Sequence, residues 1–546
     1  MKATKRIFNV FLTCVLAFTM AFAMGLTASA ADYTITINKP TGDIDRTYEA
    51  YQIFRGNLDG STLSDIEWGT GIDGAAFLTE LQKNAPFTSC TDAKTVAEKL
   101  ADFTDDSDEA VAFAKLAGKF LTTATASSST GQITVPAGYY LLKDVTTVTD
   151  DALSLNILKV VKDVTVNPKA DHPTVDKKIG TDITTGVAAN EATIGDKVPF
   201  VIASKVPQMQ GYTKYFFVLN DSMTAGLTYN KDVAIKIGTT TLAADAYDVV
   251  YDDTANTMKI VIKNFIQYKS EAGKDIVVTY SATLNEKADL TQAGNKNTVK
   301  LTYSNNPNVD YKGDNEPDTT DPVGETPEHV TVTYSTKLQL TKVDGADHNV
   351  KLEGVEFQIT GTSIKTAVSK GEYFKQDAAG TYYQLKDGTF TETVPTTETE
   401  SKYVSTSVKY AKVTDTAEQT KMQKVTASGT TDANGLITFE GLGAGTYYIT
   451  ELKTKSGYNL LTAPITVTIT AAPSATGCSW TVSTNATFED DMVKLTVENN
   501  KGSVLPITGG IGTTIFYVIG GLLVCGAVVM AITKKKLSVE DKADQN

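Results

Sequence analysis

The sequence predicts a mainly β protein made of tandem Ig-like β-sandwich domains, with helices inserted in the first domain. Short segments of alternating or clustered apolar and β-branched residues recur along the chain, and Gly, Asn and Asp turns separate them. Many such segments at regular spacing are typical of β-sandwiches. Residues 74–122 differ, because their apolar residues recur at helical spacing and predict two or three amphipathic helices.

The composition limits the classes of function. The formal net charge of -14 argues against a nucleic-acid surface and fits an extracellular protein. The sequence has only three histidines and no phosphate-binding loop, so we expect neither an enzyme active site nor a cofactor or metal. Of the four cysteines, only Cys90 and Cys478 lie outside the terminal apolar runs, which leaves no evident disulfide framework.

The first thirty residues predict a secretory signal peptide. A basic start precedes the apolar run "IFNVFLTCVLAFTMAFAMGL", and the small residues of "ASAAD" follow it. We therefore expect residues 1–30 to be removed, with cleavage near Ala30 or Ala31, and the rest of the chain to be exported.

The other end of the chain predicts a membrane span with a short motif before it. The apolar run of residues 511–533 is long enough to cross a bilayer core of about 30 Å, and three lysines follow on the expected cytoplasmic side. The stretch "LPITGG" stands directly before this run. Taken alone, this stretch also fits an ordinary juxtamembrane turn.

Together, the motif, the span and the basic tail resemble the sorting signal of Gram-positive surface proteins that are processed by sortase. The resemblance implies cleavage between Thr508 and Gly509, with the Thr508 carbonyl held as a thioester on the sortase cysteine until an amine accepts it. It assigns the sorting motif to Leu505, Pro506, Ile507, Thr508 and Gly509.

Strand-like segments and linkers divide the chain between these ends. We expect an N-terminal domain over residues 31–168, a middle β-sandwich over 169–327 and a C-terminal β-sandwich over 328–503, before the terminal segment 504–546. The acidic stretch "YKGDNEPDTTDPVGETPE" separates the last two domains. Residues 361–426, rich in Thr, Lys and Tyr, form an insertion for which a ligand-contacting subdomain is one interpretation.

Three groups of segments resemble the domains of one family. "LEGVEFQI", "TDANGLITFEGLGAGTYYITE" and "VENNKG" resemble a Cna-B-type sandwich. "PTVDKKI", "IGDKVPFVI" and "LNDSMTAGLTY" are similar to the central domain of sortase-assembled pilus shaft subunits, and "TYEAYQIFRG" resembles their N-terminal domain. The chain therefore resembles the major, or backbone, subunits of Gram-positive pili, also called type-2 fimbrial shaft proteins. The resemblance implies a structural protein that is a substrate of sortase.

In that family, a lysine after proline in a V-x-V-Y-P-K stretch attacks the thioester of the next subunit. The stretch "VTVNPK" assigns this role to Lys169, with Asn167 in the place of the tyrosine. Pro168 lacks an N–H and ends the strand ladder, which leaves Lys169 at an open edge between two domains. Lys162 and Lys178 are nearby competitors, and a solvated linker lysine is the alternative interpretation.

Two other lysines are predicted to point inward. In "PTVDKKI" the period of two puts Lys177 on the apolar face and Lys178 on the opposite face. In "KLQLTKV", Lys342 is in phase with Leu338 and Leu340. Because an unpaired lysine in a sandwich core is costly, another group must compensate each of them.

The family resemblance implies that the compensation is an intramolecular isopeptide bond. A buried lysine that has lost its proton attacks the side-chain amide of an asparagine on the last strand, and a neighbouring carboxylic acid assists the departure of ammonia. For Lys342 the candidate is Asn499, which shares a strand face with Val497, rather than Asn500. Glu451 in "GTYYITELKTKSGY" matches the acid of the family motif.

The partners in the middle domain leave alternatives open. Asn297 is in phase with the apolar residues that follow it and is the preferred partner of Lys177, with Asn295 and Asn305 as rivals. Asp221 in "LNDSMTAGL" matches the family position of the acid. Turn chemistry is the alternative interpretation for such residues, because Asn and Asp are common where strands end.

The two bonds would close loops of about 120 and about 157 residues. If the loop-entropy model for disulfides transfers, each bond contributes roughly 5 kcal/mol through the unfolded state. Joining the first strand to the last also carries tension through covalent bonds. The N-terminal domain shows no comparable set of residues, and we predict no such bond there.

The sequence therefore predicts a structural shaft subunit of a covalent pilus, in which sortase joins Thr508 of one copy to Lys169 of the next. The expected partners are sortase, further copies of the chain, minor tip or basal pilins, cell-wall peptidoglycan and a host or bacterial surface ligand. The expected location is the surface of a Gram-positive cell, reached through a membrane-bound precursor. The alternative is a surface adhesin or accessory pilin that is anchored singly to the cell wall.

Overall fold

The computed structural model describes residues 32–38, 45–104, 107–147, 152–153, 155–167, 173–416, 418–419, 428–502 and 512–540. Within these ranges the chain is mainly β-structure arranged in tandem sandwiches, with short helices near the N-terminus, which confirms the predicted fold class. The predicted signal peptide and sorting motif lie outside the described residues.

The N-terminal domain contains two sheets that share a core. One has the strand order β5-β1-β8, and the other has the order β3-β2-β6-β7 with β4 beside β2. The short strand β8 lies at a sheet edge, parallel to β1. The strands are β1 (Asp32–Ile37), β2 (Tyr48–Asp59), β3 (Thr62–Trp68), β4 (Ala126–Ser128), β5 (Gln132–Pro136), β6 (Gly138–Asp144), β7 (Leu155–Val160) and β8 (Val164–Val166).

Three helices follow β3, in the segment where the sequence predicts two or three. They are α1 (Gly74–Leu81), α2 (Ala93–Leu100) and α3 (Asp108–Ala117). Each begins at a residue whose side chain accepts a backbone N–H of the first turn: Asp73, Asp92 and Ser107, respectively. Their apolar faces cover the second sheet through an aromatic cluster centred on Phe77 and Phe113.

A buried ion pair joins two parts of the N-terminal domain. Arg46 Nη1 lies 2.7 Å from Asp144 Oδ2, and both side chains are almost fully buried. Arg46 also donates to the carbonyl oxygen of Ala152. The buried guanidinium is thus held by a carboxylate and a backbone oxygen together.

The middle domain is a sandwich of two larger sheets. Their orders are β15-β14-β18-β11-β9, with β13 beside β18, and β10-β21-β19-β12-β17-β16, with β20 beside β19. The strands are β9 (Asp176–Ile179), β10 (Ala189–Glu191), β11 (Lys197–Lys205), β12 (Phe217–Met223), β13 (Leu227–Tyr229), β14 (Ala234–Ile237), β15 (Thr240–Thr241), β16 (Tyr247–Asp252), β17 (Thr257–Ile262), β18 (Asp275–Leu284), β19 (Asn295–Ser304), β20 (Val323–Glu325) and β21 (His329–Tyr334).

The C-terminal domain is a sandwich with an insertion. Its main sheets have the orders β30-β22-β35-β34 and β29-β23-β31-β32-β33, and the insertion forms a three-stranded sheet, β24-β25-β28, and a ribbon, β26-β27. The strands are β22 (Thr336–Asp344), β23 (Glu356–Gly361), β24 (Thr366–Ser369), β25 (Glu372–Gln376), β26 (Tyr383–Gln384), β27 (Phe390–Thr391), β28 (Tyr410–Val413), β29 (Ser428–Thr430), β30 (Leu436–Leu442), β31 (Gly445–Lys453), β32 (Ile465–Ser474), β33 (Gly477–Val482), β34 (Thr487–Glu489) and β35 (Met492–Asn499).

By sheet pairing, β21 extends the middle domain beyond the boundary expected at residues 327 and 328, whereas Val332 and Tyr334 on this strand pack in the core of the C-terminal domain. β21 pairs antiparallel with β19 and parallel with β10. The chain changes sheets at Ser335, between β21 and β22. The sequence "VTVTYSTKLQLTKV" hides this change because its alternation continues across both strands.

The acidic stretch after β19 is a loop of the middle domain rather than a free linker. Asp314 and Glu316 lie 3.1 and 2.6 Å from the amines of Lys214 and Lys259 on that domain. Asp310 contacts Lys115 of α3, so this loop also contacts the N-terminal domain.

Helix α4 (Gly512–Glu540) follows the sandwich domains. Within the described part of the chain it is the one helix whose length and composition suit a membrane span, with a mean hydropathy of 2.3 over Phe516–Lys534.

Candidate functional site

The middle domain brings Lys177, Asp221 and Asn297 together between its two sheets. Lys177 lies on β9 at the edge of one sheet, whereas Asp221 on β12 and Asn297 on β19 lie on adjacent strands of the other. The alternation of β9 turns Lys177 into the core and leaves Lys178 half-buried. The three polar side chains therefore meet across the sandwich.

Hydrogen bonds connect these three side chains. The Nζ of Lys177 donates to Asp221 Oδ2 at 2.5 Å and also to Asn297 Oδ1. The side chains of Lys177 and Asp221 are 0% exposed. The rings of Phe200 and Tyr280 lie 5.5 and 5.4 Å from the amine. The amine is thus enclosed by apolar rings on one side and by its two polar partners on the other.

Burial changes the protonation of this lysine. Loss of hydration lowers the pKa of Lys177 to about 8, although the charge and the hydrogen bond of Asp221 act in the opposite direction. A lysine with this pKa is neutral in a large fraction of molecules at mildly alkaline pH. A neutral amine has a lone pair with which it can attack the amide carbon of Asn297.

Two tyrosines complete the site, and the sequence analysis did not identify them. The Tyr229 hydroxyl donates to Asp221 Oδ1 at 2.8 Å, and the Tyr280 hydroxyl donates to Asp221 Oδ2 at 2.7 Å. Tyr280 also accepts a hydrogen bond of 3.0 Å from Asn297 Nδ2. A signal was present, because Tyr280 is in phase with the apolar residues of "DIVVTYSATL" and a buried hydroxyl needs a partner.

The two rival asparagines lie elsewhere. Asn295 accepts from the backbone N–H of Asp289 and donates to the Thr333 carbonyl, so its amide holds a loop and β21 against β19. Asn305 follows the far end of β19. Of these three asparagines, Asn297 is the one that contacts Lys177.

The C-terminal domain brings Lys342, Glu451 and Asn499 together. Lys342 on β22 and Asn499 on β35 lie on adjacent parallel strands, and Glu451 lies on β31 of the facing sheet. Lys342 Nζ donates to Asn499 Oδ1 at 2.6 Å. Asn499 Nδ2 donates to Glu451 Oε1 at 2.6 Å and to Thr454 Oγ1 at 2.7 Å.

The environment of the second lysine resembles that of the first. Burial lowers the pKa of Lys342 to about 8, although Glu451 and Glu498 oppose the shift. The ring of Phe357 lies 5.8 Å from the amine. Glu451 also accepts the backbone N–H of Leu461 at 3.0 Å, which fixes its carboxylate beside the asparagine amide.

The residues assigned to polymerisation lie outside the described part of the chain. They are Lys169, Thr508 and the rest of the sorting motif. The residue before Pro168 is described: Asn167 follows β8, is exposed and accepts a hydrogen bond from Asn38 at 2.8 Å. Lys162, one of the competing lysines, is also exposed.

Comparisons with known proteins match both sandwich domains. Residues 194–307 match the family described as "Gram-positive pilin backbone subunit 2, Cna-B-like domain", and residues 336–483 match a "prealbumin-like fold domain". The trypsin-resistant surface T6 protein of Streptococcus pyogenes serotype M6 is 26% identical over 405 residues, which span 67% of this chain and 70% of that protein.

A solved structure shares the fold. The T6 backbone pilin of serotype M6 Streptococcus pyogenes, described as a modular three-domain structure, aligns with a TM-score of 0.51 at 16% sequence identity. The alignment covers 88% of this chain and 100% of that structure.

Proposed function

Because the chain belongs to the backbone pilins of Gram-positive bacteria, we propose that it is the shaft subunit of a covalent pilus. Sortase joins the Thr508 carbonyl of one copy to the Lys169 amine of the next. Two intramolecular isopeptide bonds, Lys177 to Asn297 and Lys342 to Asn499, stabilise each copy. The protein is a structural subunit and a sortase substrate, and its own chemistry is limited to the formation of these internal bonds.

One observation carries the proposal of internal bonds. In two successive domains, a buried lysine amine contacts the side-chain amide of an asparagine, and a buried carboxylic acid lies within the same hydrogen-bonded set. Ordinary ion pairing does not require an amide at that place, whereas acyl transfer from asparagine to lysine does. The low lysine pKa supports the same chemistry, since the amine must be neutral to attack.

The C-terminal domain has the simpler arrangement. The lysine nitrogen bonds to the amide carbon of Asn499, the carbon–nitrogen bond of the amide breaks, and ammonia leaves. Glu451 lies directly against the departing nitrogen, where its carboxyl can pass to ammonia the proton that the attacking amine gives up. Thr454 accepts the other N–H of this amide and orients it.

The proposed polymerisation rests on the sequence at two places: directly before the middle domain and directly after the C-terminal domain. Strand β8 ends at Val166 on a sheet edge, and the family's lysine position, Lys169, follows after Asn167 and Pro168. The sorting motif stands between β35 and the apolar helix α4. A membrane-held precursor would present Thr508 to sortase outside the bilayer.

The same proposal gives the location and the wider partners. We assign the mature protein to the cell surface, where copies are joined into a shaft that ends in minor pilins and is attached to peptidoglycan. The insertion with its own sheets, residues 361–426, is the part that we assign to contacts with a host or bacterial surface ligand. Deletion of these residues without any change in binding to such cells would contradict that assignment.

Mass spectrometry tests both kinds of bond. In the full-length chain, purified from a strain without sortase, we expect the loss of two molecules of ammonia and cross-linked peptides containing Lys177 with Asn297 and Lys342 with Asn499. Lys177→Met removes one of these losses, whereas the matched variant Lys178→Met keeps both. A wild-type chain of unmodified mass would overturn the internal bonds.

Surface material from cells with sortase tests the shaft. We expect a ladder of covalent polymers and a peptide in which Thr508 is joined to Lys169. Lys169→Ala is expected to abolish the ladder, whereas Lys162→Ala leaves it intact. A single wall-anchored species in which Lys169 is always free would instead identify a singly anchored adhesin or accessory pilin.

A further inference from the structure

We propose that Tyr280 is a catalytic residue of the middle domain, where its hydroxyl relays a proton between Asp221 and the departing nitrogen of Asn297. This inference rests on the proposed Lys177 to Asn297 bond and assigns a specific role within its formation. It also predicts a difference in mechanism between the two bonds of one chain.

The geometry places the hydroxyl between the acid and the leaving group. The Tyr280 hydroxyl donates to Asp221 Oδ2 at 2.7 Å and accepts from Asn297 Nδ2 at 3.0 Å. The same Asp221 Oδ2 lies 2.5 Å from Lys177 Nζ. Lys177 also contacts Asn297 Oδ1, so the four side chains form a closed hydrogen-bonded ring.

The C-terminal site explains why such a relay is needed in the middle domain. There the acid is a glutamate, and its carboxylate accepts from the asparagine nitrogen directly at 2.6 Å. The middle domain has an aspartate, whose side chain is one methylene shorter. Among the described contacts, Asp221 reaches Asn297 Nδ2 through the Tyr280 hydroxyl, which accepts from this nitrogen as the Glu451 carboxylate accepts from Asn499 Nδ2.

The proton balance of the step can be written in full. Lys177 first gives a proton to Asp221, and the neutral amine attacks the amide carbon of Asn297. Asp221 passes its proton to the Tyr280 oxygen while the Tyr280 hydroxyl proton moves to Nδ2, so the nitrogen leaves as ammonia when the carbonyl re-forms. Asp221 then takes the remaining extra proton from Nζ. The products are a secondary amide, ammonia and a protonated Asp221.

The surroundings keep Tyr280 in the form that a relay requires. Burial, together with the nearby Asp221 charge, raises the pKa of Tyr280 well above its ordinary value. The hydroxyl therefore stays neutral and can accept one proton while it donates another. Its ring stacks on Phe200, with 5.5 Å between the centroids, which fixes the position of the oxygen.

Tyr229 supplies a matched control within the same site. Its hydroxyl donates to the other carboxylate oxygen, Asp221 Oδ1, at 2.8 Å. Tyr229 and Tyr280 thus give Asp221 similar hydrogen bonds, but the described contacts connect only Tyr280 to the leaving nitrogen. Loss of a hydroxyl that merely holds Asp221 in place should have similar effects at both positions.

The test is the rate of bond formation in newly made full-length chains, followed by pulse–chase labelling and peptide mass spectrometry in a strain without sortase. Since a positioned acid–base group contributes about 10²–10⁴-fold, Tyr280→Phe should slow the Lys177 to Asn297 bond at least about 10²-fold. Tyr229→Phe should slow it less than about 10-fold. The Lys342 to Asn499 bond of the same molecules reports that the chain is folded and should keep its rate.

The outcomes separate this inference from the proposed function. A wild-type chain without the Lys177 to Asn297 peptide overturns the proposed function itself. The wild-type chain could form the bond, Asp221→Asn could fail to form it, and Tyr280→Phe and Tyr229→Phe could form it equally fast. This set of results would leave the proposed function standing and would overturn the relay.

A crystal structure of the Lys177→Met variant, with all of its sandwich domains present, gives a second test. Both tyrosines remain in place in this protein. This variant has no amine to form the bond, so the unreacted site is preserved. We expect the Tyr280 hydroxyl within hydrogen-bond distance of both Asp221 and Asn297. A hydroxyl that contacts only one of them overturns the relay.

Discussion

The N-terminal domain and the two sandwiches after it hold a buried cation in different ways. The N-terminal domain pairs Arg46 with Asp144, whereas the later domains place Lys177 and Lys342 against asparagine amides. An arginine keeps its proton in proteins, so its pair remains ionic, whereas burial can remove the proton from a lysine and make it a nucleophile. The proposed covalent closure therefore requires both a buried lysine and an asparagine amide beside it, and the Arg46 to Asp144 pair supplies neither.

On the proposed shaft, this difference follows the path of tension. Tension from the neighbouring copy enters at Lys169, after the N-terminal domain, and passes through the Lys177 to Asn297 bond into β19. It then reaches β22, crosses the Lys342 to Asn499 bond and leaves toward Thr508. The N-terminal domain lies outside this path, so an ionic pair is sufficient there.

One segment of this path lies between the two proposed isopeptide bonds, so neither bond carries its tension. Residues 298–341 include the rest of β19, the acidic loop, β21 and the first part of β22. Because Asn297 is opposite Thr331 in the antiparallel pair, tension acts at the open end of the β19–β21 pair and separates its hydrogen bonds one after another. The ion pairs that hold the loop are exposed and weak.

The largest expected effect concerns extension under force. In single-molecule pulling between positions 169 and 502, wild-type chains should lengthen by roughly 150 Å, mainly from residues 298–341 at about 3.4 Å per residue. Lys177→Met should release a further loop of 120 residues, or roughly 400 Å. Lys178→Met is the control and should behave as wild type. A wild-type chain that lengthens as far as Lys177→Met would contradict the proposed Lys177 to Asn297 bond.

The next effect is on stability of the C-terminal domain. Asn499→Ala removes the proposed bond to Lys342, a residue 157 positions away along the chain, and should lower the free energy of unfolding by roughly 5 kcal/mol through the unfolded state. Chemical denaturation followed by the Trp480 fluorescence of that domain measures the change. Asn500→Ala, at an exposed neighbouring position, should alter stability little. Equal losses in the two variants would point to strand packing instead of a covalent bond.

The Arg46 to Asp144 ion pair should stabilise the N-terminal domain less than the proposed isopeptide bonds stabilise the other two domains. Asp144→Ala leaves Arg46 buried without its carboxylate and should cost about 3–5 kcal/mol. Hydrogen exchange of β6 measures this loss. The mass of the variant should differ from that of the wild type only by the change of side chain. Glu67→Ala breaks the exposed pair with Arg55 and should cost about 0–1 kcal/mol. A mass deficit in the N-terminal domain would contradict the ionic description.

The alternation of apolar residues was sufficient to predict the fold class and the inward direction of two lysines. Lys177 and Lys342 stand in the apolar phase of their strands, and a buried lysine requires a partner. The choice of Asn297, Asn499, Asp221 and Glu451 came from a family resemblance. The structure brings these residues together, whereas the reaction itself stays a prediction.

Strand alternation alone does not reveal which side chains meet across a sandwich. Tyr229 and Tyr280 were missed because their strands, β13 and β18, belong to the sheet opposite Asp221. A period of two shows that a side chain points inward, but the facing partner depends on sheet order. The position of β21 was missed for a related reason, since pairing with β19 depends on the course of a loop.

A smaller effect is expected from pH. Both lysines must be neutral to react, and burial lowers the pKa of each to about 8. Because the proton that each lysine loses is the one that the buried acid passes to ammonia, the rate of bond formation should be constant below about pH 8 and fall about tenfold per pH unit above it. Pulse–chase labelling of newly translated chains at several pH values measures this rate. A rate that rises with pH below about 8 would show instead that the lysine loses its proton to solvent before it attacks.

The smallest effect concerns Thr454, which accepts a hydrogen bond from the leaving nitrogen of Asn499 at 2.7 Å. Glu451 already lies against that nitrogen, so Thr454 only orients the amide. Thr454→Val should therefore slow the Lys342 to Asn499 bond by only about fivefold, which corresponds to one hydrogen bond of about 1 kcal/mol.

Thr454→Ser keeps the hydroxyl and should restore the wild-type rate of bond formation. If Thr454→Val instead slows the bond as much as Glu451→Gln does, the C-terminal domain also moves its proton through a hydroxyl. The two sites would then share one mechanism, and the shorter acid in the middle domain would no longer explain Tyr280. A small effect at Thr454 beside a large one at Tyr280 is the result that separates an orienting hydroxyl from one that carries a proton.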